Sequence, residues 1–110
     1  MNVTYSNRRL EKQCTREKEK RKAFDRAVAG SLGRRVNELM SADNMGDVLD
    51  GPGRWEVLTG DRDGQISGRL SPNDRLIVEV DCRDALEGEN QMDLIRAATD
   101  VEVIEIVDYH

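Results

Sequence analysis

The chain of 110 residues is long enough for one domain with its own modest core and too short for two, so residues 1–110 are read as a single domain. Hydrophobic residues make up 37% and charged residues 35%, so the core must be economical, but the regular apolar pattern excludes a disordered chain. The net charge of −5 hides an asymmetry: residues 1–40 hold 11 Lys/Arg against 5 Asp/Glu, and residues 41–110 hold 6 against 17. All four lysines fall between Lys12 and Lys22, so a basic helical face can dock on phosphates although the acidic remainder opposes indiscriminate nucleic-acid binding. The competing reading of that face is a solvated helix surface.

Val3-Thr4-Tyr5 reads as a short extended start, and Ser6 and Asn7 can cap the helix that follows. Residues 7–22 are dense in the helix formers Arg, Lys and Glu, with a thin stripe through Leu10 and Cys14 and a possible break at Thr15. Residues 24–42 predict a second helix, with Val28, Leu32, Val36, Leu39 and Met40 at helical spacing and Gly30 and Gly33 weakening its interior. Residues 43–53 read as a loop with room for one helical turn. The period then changes to two. Arg54 to Thr59, Gln65 to Ser71 and Arg75 to Asp81 predict a three-strand meander, with hairpin residues 60–64 and the turn Ser71-Pro72-Asn73-Asp74 between its strands. Residues 82–100 are polar, with a short helix over Met92–Ala98 capped by Asn90. Val101 to His110 is apolar on both faces, which predicts an interior strand. The fold class is therefore α+β: an N-terminal strand and two helices packed on a mostly antiparallel sheet.

Neither Cys14 nor Cys82 has a second Cys or His at ligand spacing, which speaks against a zinc site or a disulfide framework; both are read as small buried hydrophobes. No apolar stretch approaches the ~20 residues that span a membrane. The start lacks signal-peptide character, so the expected compartment is the cytoplasm and no membrane partner is expected.

The chain's single histidine is its last residue, His110. A terminal histidine alone is a frayed end. Here an apolar strand precedes it and Asp108 and Tyr109 flank it, so the end is expected to be held. Arg69 and Arg75 sit on the polar sides of their own strands; beside the last strand they can face that cluster. The bland alternative pairs them with sheet carboxylates such as Glu79. Paired arginines next to acid/base groups suit phosphodiester cleavage. One group takes the proton of the ribose 2′-OH, another protonates the leaving 5′-oxygen, and arginine stabilises the charge on phosphorus oxygens.

Leu58 to Leu70, Asp74-Arg75-Leu76-Ile77 and Val103 to His110 resemble the plasmid-maintenance killer proteins of the HigB branch of the RelE/ParE superfamily. Tyr5 to Lys12 with Cys14-Thr15, and Arg35 to Leu39 with Ala42-Asp43-Asn44, are similar to the same branch. The resemblance implies a RelE-like fold and a toxin that cuts mRNA on the translating ribosome, restrained by a cognate antitoxin and using neither metal nor cofactor. It implies that Arg69 and Arg75 contact the scissile phosphate and its neighbours, and that Asp108, Tyr109 and His110 form the acid/base cluster. Where that branch has a histidine near the start of the meander and a lysine three residues on, this chain has Glu56 and Thr59. Glu56 can serve as a base, yet it adds negative charge where RNA must approach. The resemblance is thus compatible with a non-catalytic module of the same fold that binds the antitoxin and helps regulate its operon. A gyrase inhibitor of the ParE kind is a third reading, and the Asp-Tyr-His end argues against it.

Overall fold

The computed structural model describes residues 1–62, 64–80 and 91–108. In chain order these form β1 (Asn2–Tyr5), α1 (Arg8–Thr15), α2 (Glu17–Ala23), α3 (Arg26–Ser41), α4 (Met45–Leu49), β2 (Glu56–Val57), a 3₁₀ turn (Gly60–Arg62), β3 (Gln65–Arg69), β4 (Asp74–Glu79), α5 (Gln91–Ala97) and β5 (Asp100–Asp108). The fold is α+β, as the alternation of periods predicts, with one five-stranded sheet in the order β1-β5-β4-β3-β2. β1 runs parallel to β5 and the other pairs are antiparallel. β5 is interior, between β1 and β4, which explains why both its faces carry Val and Ile.

Short polar side chains set where the helices begin. The Asn7 side chain accepts from the Leu10 amide at 2.8 Å, Asp25 from Val28 at 2.9 Å and Asn44 from Asp47 at 3.0 Å. Each cap contributes about 1 kcal/mol relative to alanine. Ser6, the other candidate cap, instead donates to the Ile104 carbonyl at 2.8 Å and ties β1 to β5. The basic segment is two helices, not one. Arg16 adopts φ −109° and ψ 118°, outside the helical region, so the chain turns between α1 and α2. Residues 43–53 hold more order than a loop, because Asn44 caps α4 and the Met45 amide donates to the Ala98 carbonyl at 2.9 Å. The Arg96 guanidinium on α5 bonds the Asp50 carboxylate at 2.7 Å, which closes α4 against α5 and holds the carboxyl below its usual range.

The core lies between the helices and one face of the sheet. Leu32, Leu39, Met45, Ile66, Leu76, Val78 and Val103 are fully buried there. α3 supplies Val28, Ala29, Leu32, Val36 and Leu39 from one stripe, and each large side chain contributes about 1.5–3 kcal/mol of burial. Met40, placed on the stripe by spacing, is 60% exposed. Cys14 is a buried hydrophobe of this core, and Cys82 lies outside the described residues. Burial pushes the Cys14 thiol up to about 11 against the pull of Lys20, and burial with Cys14 and Glu11 nearby pushes Tyr5 to about 12.

The first strand of the meander is shorter than the alternation predicts. Arg54 has φ 51°, a left-handed conformation that no strand residue adopts, so pairing starts only at Glu56. Past Val57 the Leu58 amide still donates to Gln65 at 2.9 Å before the chain enters the 3₁₀ turn. Gly60 and Gly64 take φ of 70° and 85° around that turn, where glycine carries no steric penalty. No described helix is long and apolar enough to cross a membrane.

Candidate functional site

Cross-strand partners project from the same face of a sheet, so the register sorts the charged residues. Leu76 lies between Gly68 and Ile106, and Val78 between Ile66 and Val103; these rows face the helices. The intervening rows face away. One consists of Arg69, Arg75 and Val107, successive partners across β3, β4 and β5. The next consists of Glu56, Ser67, Ile77 and Glu105 across β2 to β5. The sheet therefore brings Arg69, Arg75 and Glu56 onto one face, remote from the core.

Their states differ. Arg69 is half-buried and its guanidinium has no hydrogen bond or ion pair among the described residues. Arg75 folds back onto the turn, its Nη1 donating to the carbonyls of Ser71 at 2.6 Å, Asp74 at 2.9 Å and Pro72 at 3.4 Å. These neutral acceptors leave its positive charge uncompensated. Neither arginine pairs with Glu79. Glu56 and Thr59 are exposed.

Asp108 is placed differently from the two arginines. A register shift between Ile77 and Val78 sets Glu105 opposite Ile77 and Asp108 opposite Asp74. Asp108 is thus one residue out of step with Arg75, which faces Val107, and leaves the sheet on the side of Leu76 and Ile106. Simple alternation from the strand start could not reveal this, because the irregularity breaks the count. Tyr109 and His110 lie outside the described residues.

Arg62, which reads from sequence as a hairpin residue, belongs to the same face. It reaches from the 3₁₀ turn over β4, and its Nη1 contacts Gln65 Oε1 on β3 and Glu105 Oε1 on β5, both at 2.9 Å. Beneath this span Ile77 is fully buried and Ser67 nearly so, although both lie outside the core cluster. Only the long-range pairing of β4 with β5 brings Glu105 within reach, so the local sequence carries no sign of it.

A second group missed by periodicity holds Arg69 from behind. Trp55 lies flat on Gly68, where an added Cβ would meet the ring at 2.8 Å. Its Nε1 donates to Glu38 Oε1 at 3.0 Å, and Glu38 Oε2 pairs with Arg35 Nη2 at 2.8 Å. Arg35 Nη1 reaches the Arg69 carbonyl at 3.5 Å. A chain of contacts thus runs from α3 through the buried indole to the strand that carries Arg69. On the helical side, Arg8, Arg9, Lys12 and Lys22 line a cleft of about 490 Å³ between α1 and α2, none of them ion-paired among the described residues.

No family model and no curated protein matches the sequence. Solved structures do. The chain superposes over its whole length on a YoeB/ParE toxin from Agrobacterium tumefaciens, with a TM-score of 0.61, 16% identity and 100% of each chain covered. It also superposes on the YoeB of a YoeB-YefM complex from Staphylococcus aureus (TM-score 0.55, 20% identity, 100% of this chain and 97% of that one). A heterotetrameric YoeB-YefM toxin-antitoxin complex from the same organism gives a TM-score of 0.54 at 21% identity, again with 100% and 97% covered. At such low identity the likeness concerns the backbone: this chain has the fold of the YoeB/ParE toxins.

Proposed function

We propose that this protein is the toxin of a type II toxin–antitoxin pair, a metal-independent endoribonuclease that cuts mRNA on the ribosome in the cytoplasm. The observation that carries the reading is the side-by-side placement of Arg69 and Arg75 on the sheet face away from the core, on a fold shared with YoeB/ParE toxins. Two cations in adjacent strands, with Cα atoms about 5 Å apart, can straddle one phosphate. The free guanidinium of Arg69 stabilises the charge that builds on the nonbridging oxygens as the ribose 2′-oxygen attacks phosphorus. Glu56, exposed and one row away, is the candidate to take the 2′-OH proton, and Tyr109 and His110 are the candidates to protonate the leaving 5′-oxygen, since the register of β5 sets Asp108 on the opposite side of the sheet. The proposed partner that holds the toxin inactive is a cognate antitoxin, since structural neighbours were solved as YoeB-YefM complexes.

The test is expression of the chain without its partner, with growth followed and mRNA 5′ ends mapped. Growth should stop and new ends should appear within translated messages. Arg69→Ala should relieve both while leaving the melting temperature unchanged, because no hydrogen bond or ion pair among the described residues uses that guanidinium. Unchanged growth and unchanged message ends from a folded, soluble chain would refute the enzymatic reading. A second reading, an antitoxin-binding module without cleavage, is favoured by the carboxylates Glu56 and Glu105 on the phosphate-facing rows. It predicts a stable complex with the neighbouring gene's product and no toxicity from either protein.

A further inference from the structure

We infer that Arg62 is a third phosphate ligand of the arginine face, aimed by Gln65 and partly neutralised by Glu105. The inference rests on the proposed RNA-cutting function and extends it to a residue that neither the fold likeness nor the strand pattern singles out. Both contacts of Arg62 use the same nitrogen, Nη1. Its Nε and Nη2 have no partner among the described residues, and that edge of a guanidinium is the one that grips a phosphate with two parallel N–H bonds. The side chain is 36% exposed, and one end of its guanidinium is held by Gln65 and Glu105.

Its position suits a neighbouring phosphate. Arg62 lies above the row of Ser67, Ile77 and Glu105, and the Arg69–Arg75 row is two residues further along the strands. Two residues of antiparallel strand are about 6.8 Å, the scale of the step between successive phosphates of an extended RNA strand. Arg69 and Arg75 would hold one phosphate and Arg62 the next. Glu105 is a positioning residue here. It fixes the guanidinium through one oxygen, and its negative charge reduces the attraction for RNA.

The experiment measures binding of the full chain to a single-stranded RNA oligonucleotide carrying 2′-O-methyl groups, which block attack by the 2′-oxygen. Affinity is followed across a salt series. Arg62→Ala should weaken binding about three- to ten-fold, as expected for a charge-assisted contact at a partly exposed site, and should lower the slope of log K against log salt by about 0.7. Arg62→Lys should keep the slope and still lose affinity, because the charge remains and the fork is gone. Glu105→Gln keeps an acceptor oxygen for Nη1 and removes the charge, so it should tighten binding about two- to five-fold, and the gain should shrink when Arg62 is also alanine.

An unchanged salt slope in a folded Arg62→Ala variant overturns the inference. So does a Glu105→Gln gain that is undiminished without Arg62, which would mark general charge repulsion. Arg69→Ala separates the two levels of the argument. Binding that depends on Arg69 and not on Arg62 refutes the third ligand alone. RNA binding that is absent, or that ignores Arg69, refutes the cleavage face and the third ligand together.

Discussion

Replacing Gly68 by alanine tests how the arginine strand is held. A Cβ at Gly68 would lie 2.8 Å from Cη2 and Cζ3 of Trp55 and 2.9 Å from Cε3, well inside contact distance for a rigid ring. The indole cannot retreat. Gly53 packs against the Nε1 end of the ring and against Glu38, and Nε1 is fixed to the Glu38 carboxylate at 3.0 Å. Either the strand moves away from the ring, or the ring moves and loses that hydrogen bond. Overpacking costs about 1–3 kcal/mol, and a hydrogen bond to a charged group about 1.5–3 kcal/mol. The two costs are alternatives in part, so about 2–4 kcal/mol is expected in total. At roughly 4 °C per kcal/mol for a chain of this size, the midpoint should fall by about 8–16 °C. Trp55 is the single tryptophan, so its emission reports the same event without interference, and a shift in the folded-state spectrum should accompany the lower midpoint. Trp55→Phe in the Gly68→Ala background should recover part of the loss, because a phenyl ring frees the space the methyl needs. A Gly68→Ala protein with unchanged midpoint and emission would show that the ring is not held by Gly53 and Gly68.

The two arginines should separate in stability. Arg75→Ala removes a donor from three turn carbonyls and should cost about 1 kcal/mol in urea unfolding, while Arg69→Ala should cost nothing measurable; equal effects would contradict their different anchoring. Arg54→Gly relieves a left-handed arginine at φ 51° and should raise stability by up to about 1 kcal/mol, with a lower urea midpoint counting against strain there. Cys14 and Tyr5 have folded pKa values raised to about 11 and about 12, so their contribution is complete below their ordinary values of 9.0 and 10.0 and is lost as pH rises through the folded ones. Urea midpoints measured from pH 8 to 12 should fall across that window, and Tyr5→Phe should flatten its upper part; a Tyr5→Phe profile identical to the parent would refute the assignment.

What the sequence reveals and what it hides divide along physical lines. Alternation and helical spacing depend on neighbours in the chain, and they place α3, β3, β4 and β5 within a few residues of their observed bounds. The interior position of β5 is legible because apolar residues on both faces need cover on both sides. The α1–α2 break is only hinted at by Thr15, since Arg16 leaves the helical region without a proline or glycine to announce it. The pairing of Arg69 with Arg75 follows from the short turn 71–74 between their strands, which fixes the register locally. The register of β5 does not follow in this way, because a shift between Ile77 and Val78 moves Glu105 onto the arginine face and Asp108 off it. The Trp55–Glu38–Arg35 chain was equally hidden, for it joins residues that only tertiary packing brings together.

The three arginines of this face hold their charges under different constraints, and under the proposed function that difference would make the face selective. Arg75 is bound by neutral carbonyls, which orient it without cancelling its charge. Arg62 is bound by a carboxylate, which orients it and partly offsets its charge. Arg69 has neither restraint on its side chain, but its backbone is gripped from the core side by Arg35 and by the Gly53 carbonyl, which accepts from its amide at 3.1 Å. A strand with a fixed backbone and a free guanidinium can follow a phosphate as its geometry changes, while a fixed guanidinium can only receive it. In a chain whose residues 41–110 are strongly acidic, long-range attraction for RNA is weak. If the face takes RNA as proposed, recognition would depend on short-range hydrogen bonding by oriented donors, and the register that lines up Arg69, Arg75 and the reach of Arg62 provides such donors on an otherwise acidic chain.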